Sequence, residues 1–186
     1  MSRSTKYIIA AVFLVLLSIP VVYVVLTWHP RSPLTFRLVG QEMKTDRDGF
    51  PLRVLDIEIT NSSEVPISLH AAMVHDGPHI SLERGYLGEV RPEFDVDRRV
   101  MVPFTVPARG SIRRPAALHA EIEQVPVGEI HIAYIWNSRT RQSAVKCWFW
   151  LDDRMPVLSK LSQFPYSPCR DTTPLIVSPK VIDHRP

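Results

Sequence analysis

Three histidines fall close together along the chain: His70, His75 and His79, with Asp76 among them. Neutral imidazole ligates copper or zinc, so a loop gathering all three would suit a small metal-handling factor. The spacing, His-x4-His-x3-His, matches no standard ligand set. A strand running into a loop also does not bring three such side chains to one point. Polar surface histidines account for the same residues. Cys147 and Cys169 are the two cysteines. In an oxidising compartment they read as one disulfide, pinning the C-terminal segment across the last strand for about 3 kcal/mol of loop-closure stabilisation. In the cytosol they read as two thiols. No Cys-x-x-Cys is present, so neither thiol redox chemistry nor a zinc knuckle is indicated.

Trp148-Phe149-Trp150 sets two tryptophans on the face opposite Phe149 if the segment is a strand. An ordinary outer strand is polar there. Either the C-terminal tail covers these rings, or they meet a partner or a membrane. Arg98-Arg99, Arg109, Arg113-Arg114, Arg139 and Arg141 recur near loops, where they meet anionic headgroups or form a solvated rim with Glu89, Glu93, Asp95 and Asp97. Asn61-Ser62-Ser63 is an N-glycosylation sequon, relevant only in a eukaryotic secretory pathway. No Ser-His-Asp arrangement, paired-carboxylate frame or Gly-rich phosphate loop stands out. The expectation is a non-enzymatic protein without a cofactor.

The element that must position all of this is Tyr7 to Trp28, a run without a single charge. About 20 apolar residues cross a bilayer as a helix. Tyr7, Tyr23 and Trp28 lie near its ends, where amphipathic rings favour the headgroup level. Pro20 lies mid-span and predicts a kink. A signal peptide has a shorter apolar core ending in small residues; this run ends in Leu-Thr-Trp-His-Pro. It reads as an uncleaved anchor over 7–28, behind a basic leader over 1–6 that carries Arg3 and Lys6. The leader is expected in the cytoplasm and the C-terminal domain outside it.

Lys and Arg number 22 against 19 Asp and Glu. Two of the cations belong to the leader, so the remainder is close to neutral and is no nucleic-acid binder by charge. Proline is frequent, at 17, and glycine scarce, at 7, which suits strand edges and turns better than helices. After a spacer over 29–33, Leu34-Thr-Phe-Arg-Leu-Val and Leu55-Asp-Ile-Glu-Ile-Thr alternate apolar and polar residues as half-buried strands do. Further strands are expected from Ile67, over Arg99–Val106, from Ser111, and over Ile130–Trp136. Asn137–Gln142 reads as a polar hairpin loop, and Ser143–Leu151 as the strand pairing back, with Cys147 buried beside Val145 and Phe149.

The order of strand, Asn-Ser-Ser loop, strand, Val-Pro-Ala-Arg-Gly turn and Val-Gly-Glu-Ile-His-Ile-Ala-Tyr resembles immunoglobulin-like domains in general. That resemblance implies an all-β antiparallel sandwich over 34–152. The prolines at 165, 168, 174, 179 and 186 read as an extended or irregular tail over 153–186, packing on or extending from the sandwich, in which Leu175–Val177 can form one short edge strand. The cysteine pair and strand tryptophan of antibody domains do not occur at their usual spacing. The expected function is a membrane-anchored, extracytoplasmic interaction or accessory module of a membrane or envelope complex. It would be held in the lipid bilayer by 7–28 and would contact a membrane-protein partner through Trp148, Trp150 and the anchor around Pro20. The alternative is the metal-handling factor built on His70, His75 and His79.

Overall fold

The computed structural model describes residues 3–45, 49, 51–77, 86–90, 93–95, 100–118, 129–155 and 167–178. Helix α1 (Arg3–Trp28) runs without interruption through Pro20. At 1.5 Å per residue it is about 39 Å long, and a bilayer core is about 30 Å thick. Its mean hydropathy over the span Ser4–Trp28 reaches 2.9, and its side chains stand exposed from Ser4 to Leu26. By length and composition it can cross a membrane, as an anchor or a signal segment does.

The rest is β-rich. The strands are β1 (Leu34–Thr45), β2 (Pro51–Asn61), β3 (Ile67–Asp76), β4 (Tyr86–Val90), β5 (Glu93–Asp95), β6 (Val100–Val102), β7 (Phe104–Val106), β8 (Ser111–Leu118), β9 (Ile130–Ser138) and β10 (Cys169–Val177). A second helix, α2 (Arg139–Arg154), separates β9 from β10. The main sheet runs β4-β8-β2-β1-β10-β9-β3-β7, and β4 also pairs with β3. That last pairing joins the ends, so seven strands close into a barrel with β7 alongside β3. The barrel replaces the expected two-sheet, immunoglobulin-like sandwich. Closure removes the exposed edges that a sandwich must protect by other means.

Alternation selects the inward face. Leu34, Phe36 and Leu38, then Leu55, Ile57 and Ile59, then Ile130, Ile132, Tyr134 and Trp136 are buried in one core. In β3 a register shift between Leu69 and Ala71 reverses the parity, so that Ile67 and Leu69 before it and Ala72 and Val74 after it all join that core. Closure also needs Gly88 in β4. A Cβ there would overlap the backbone oxygen of Ala117 in β8, so only glycine lets the closing strand approach.

Two segments differ from the sequence-based reading. The segment expected as a proline-rich tail with one short edge strand at Leu175–Val177 supplies β10, a longer, interior strand antiparallel to β9 through Cys169–Pro174 and parallel to β1 through Leu175–Val177. Pro174 stands where one pairing gives way to the other, which a proline without an N–H tolerates. The segment expected as a hairpin loop and outer strand is α2. Ser138 caps it, with extended φ −71° and ψ 151° and its Oγ accepting from the Arg141 amide at 3.2 Å. Arg, Gln, Ala, Lys and Leu then favour the helix. The apparent alternation of Val145, Cys147 and Phe149 is coincidental, because only Val145 is buried.

One end of the barrel is tied by Asn61, the last residue of β2, which is 1% exposed. Its Nδ2 donates to the carbonyls of Val65, Pro107 and Val106 at 2.9, 3.0 and 3.2 Å. Its Oδ1 accepts from the amide and hydroxyl of Ser63. Its own amide donates to Gly110 O at 2.9 Å. The sequon asparagine is therefore a structural staple whose nitrogen is spent, and the folded chain offers no glycan acceptor there. Asn61→Ala leaves buried carbonyls without donors, each costing about 1–3 kcal/mol. It should lower stability by about 2–4 kcal/mol in denaturant unfolding of the full chain. Asn61→Asp, which cannot donate to three carbonyls, should be at least as damaging at neutral pH. Equal midpoints for wild type and both variants would contradict the staple.

Candidate functional site

The same barrel end receives α1. Its last turn and the first turn of α2 are bonded through a small polar joint. The Ser138 hydroxyl, besides capping α2, donates to the Trp28 carbonyl at 3.1 Å. Thr140 Oγ1 donates to Thr27 Oγ1 at 2.9 Å, and Thr27 donates in turn to Tyr23 O at 2.7 Å. Thr27 is 5% exposed, unlike the helix before it. His29 lies against Trp136 with ring centroids 5.4 Å apart. The spacer is held as well, because Pro33 O accepts from the Ser62 amide at 2.9 Å.

Arg141 ties three elements together. Its guanidinium lies over the Trp28 ring at 5.9 Å, donates to Cys169 Sγ at 2.8 Å and also to Ser167 O. Burial pushes the Cys169 thiol up, while Arg141 acts in the opposite direction. The tie keeps the start of β10 against α2 and the helix end. Arg109 occupies a left-handed turn position, φ 49°, and pairs with Glu64 at the surface. That exposed pair holds little stability in water.

Between the helices lies a groove of about 480 Å³. Tyr23, Val24 and Trp28 of α1 form one wall, and Ser143, Ala144 and Cys147 of α2 the other. Val65, Pro66, Arg139 and Thr140 close it at the barrel. The volume falls in the range of small-molecule sites.

The residues singled out by sequence are distributed as follows. His70 and His75 both sit on β3, and they do not converge. His70 is half-buried, with Nε2 3.0 Å from Asn137 Nδ2, so the ring accepts from the amide. His75 is buried and stands opposite His131 of β9. Burial lowers both histidines from the usual 6.5, favouring neutral rings. His79 lies outside the described residues, as do Arg98 and Arg99. Among the described residues no three His, Cys, Asp or Glu side chains gather as metal ligands.

Cys147 is exposed on α2 rather than buried, and Cys169 is buried in β10; both are free thiols rather than a disulfide. The helix explains the change, because it turns Cys147 to the groove and not to β10. Trp148 and Trp150 likewise leave the expected strand face. Trp148 is half-buried, while Phe149 and Trp150 are 58% and 53% exposed near the end of α2. Arg154 stacks over Trp150 at 4.2 Å. Pro20 lies in the exposed middle of α1. Thr27, Ser138, Thr140 and Arg141 escaped sequence reasoning as a joint. Ser138 carried a legible signal, a capping serine ahead of helix-forming residues.

Comparison with family models, with curated proteins and with solved structures finds no match to this chain, which leaves the geometry to carry the functional case. The cysteine environments give a direct check. In mild detergent without reductant, N-ethylmaleimide should add once, at Cys147. A second adduct, at Cys169, should form only after unfolding. A native chain that takes up no reagent until it is reduced would restore the disulfide.

Proposed function

We propose that the chain is a single-pass, membrane-anchored, non-enzymatic module that carries its β-barrel on the extracytoplasmic side and serves as an accessory component of a membrane or envelope complex. The observation that carries this reading is the joint. The last turn of α1 is bonded to Ser138 and Thr140 and stacked under Arg141. Removal of α1 as a cleaved signal segment would leave Ser138, Thr140 and Arg141 without their partners Trp28 and Thr27. A helix so built into the domain supports retention.

The short basic leader supports an N-terminus in the cytoplasm, since long domains translocate largely regardless of their charge. A hinge-free joint suits a protein whose barrel must sit at a fixed height and tilt above the bilayer. It suits an accessory subunit better than a freely tethered binding head. The lipid-facing body of α1 is the surface on which a membrane partner would meet it. Ser18, two residues before Pro20, donates its hydroxyl to Val15 O at 2.7 Å. Pro20 cannot donate to the Leu16 carbonyl, so a neighbouring helix can supply a donor at that depth.

The test is cross-linking of the full-length protein in its own membrane, gentle detergent purification, and identification of co-eluting chains by mass spectrometry. A reproducible partner should accompany the wild type. Its yield should fall several-fold for Pro20→Leu, while the variant stays in the membrane fraction. A monomer in every preparation, or a partner indifferent to Pro20, would reject the assignment.

A further inference from the structure

We propose that the groove between α1 and α2 is a binding site for one phospholipid of the surrounding bilayer, its acyl chain lying between the helices and its phosphate beside Arg139. The proposal goes beyond the accessory role and rests on α1 remaining in the membrane. Two observations carry it.

The first is position. One wall of the groove, Tyr23, Val24 and Trp28, belongs to the helix that is long and apolar enough to span. The groove is therefore continuous with the lipid-facing surface of α1. The two helices meet at the barrel, through Thr27 and Thr140, and Cys147, two turns further along α2, still faces the level of Tyr23. Hence the first two turns of α2 run beside the last turns of α1. A cleft open to lipid at that depth is filled by lipid, because an apolar void has no other occupant there.

The second is the gradient of chemistry along the groove. Arg139, Thr140 and Ser143 stand at the end nearest the barrel, and Val24, Ala144 and Cys147 further down. That order matches a phospholipid, with polar groups above and chain below. Arg139 is exposed and makes no ion pair among the described residues, unlike Arg109. Its guanidinium can donate two parallel hydrogen bonds to a phosphate. A juxtamembrane cation is also attracted to an anionic leaflet.

The experiment uses full-length protein in phosphatidylcholine vesicles containing a phosphatidylcholine with a photoactivatable diazirine in its acyl chain. Adducts are mapped by mass spectrometry. The expected result is adducts both on α1 and on the Ser143–Cys147 stretch of α2. Ala144→Phe, which fills the groove, should cut the α2 adducts at least five-fold and leave those on α1 unchanged. Cys147→Trp fills the groove from an exposed position and serves the same purpose if Ala144→Phe fails to fold. Exchanging the probe lipid for phosphatidylglycerol should raise α2 labelling, and Arg139→Gln should abolish that gain. Adducts on α1 alone overturn the lipid site while leaving the anchor intact. The same follows if α2 is shielded by a cross-linked second protein chain. Adducts on neither helix show that α1 is not in the bilayer, and remove the anchor and the site together.

Discussion

A single buried amide holds together the end of the barrel that receives α1. Asn61 reaches the end of β2, the approach to β3 and the turn between β7 and β8, all through one side chain. These segments are joined by loops that offer their carbonyls no strand partner at that point, and buried carbonyls without donors are costly. The neighbouring Ser62 binds Pro33 O, so the spacer between α1 and β1 is fixed by the same turn. The seating of α1 thus depends on a residue in the barrel, not on the helix itself. A hydrophobic residue of similar size could fill the volume but would satisfy none of the carbonyls.

Closure works at longer range. The parallel pair of β1 with β10 sets Phe36 beside Leu175, joining the first and last strands, and the β3–β4 pair seals the opposite side. The β3–β4 pair joins consecutive strands, but the β1–β10 pair joins residues far apart along the chain and must overcome chain entropy by the core it completes. Phe36 stacks on Tyr134 at 5.2 Å, and the Trp136 indole donates to Asp171 at 3.0 Å. The cross-barrel aromatic layer therefore ties β1, β9 and β10. Burial, helped by the Asp171 charge, pushes the Tyr134 phenol well above its usual range, so it stays neutral inside the barrel.

Much of this was legible in residue patterns, and the exceptions have physical causes. The apolar helix and strands β1, β2, β3 and β9 announce themselves by charge-free length or by alternation, because each buries one face on a common core. The barrel does not, because closure depends on which distant strands pair, and alternation is the same in a sandwich and a barrel. β10 was hidden by Pro174 and by the prolines around it. α2 was hidden by an apolar residue at every second position, a period that belongs to strands, overriding the helix-forming composition beneath it. The joint was hidden because Thr27, Thr140 and Ser138 are ordinary residues until two helices and a strand end bring them within hydrogen-bonding distance.

The helix at 139–154 changes the meaning of every residue on it, and with it the functional case. Residues two apart share a face on a strand but are turned by about 200° on a helix. On a strand, Arg139 and Arg141 would form one basic patch, and Trp148 and Trp150 one aromatic patch. On α2 each pair divides. Arg141 turns inward to Trp28, Cys169 and Ser167, and fixes the domain on α1. Arg139 remains at the mouth of the groove. Trp148 turns partly inward, and Trp150 outward. One helix therefore presents an inner side that locks barrel to α1 and an outer side with a cation and aromatic rings. A strand at this position could do one of these things, but not both.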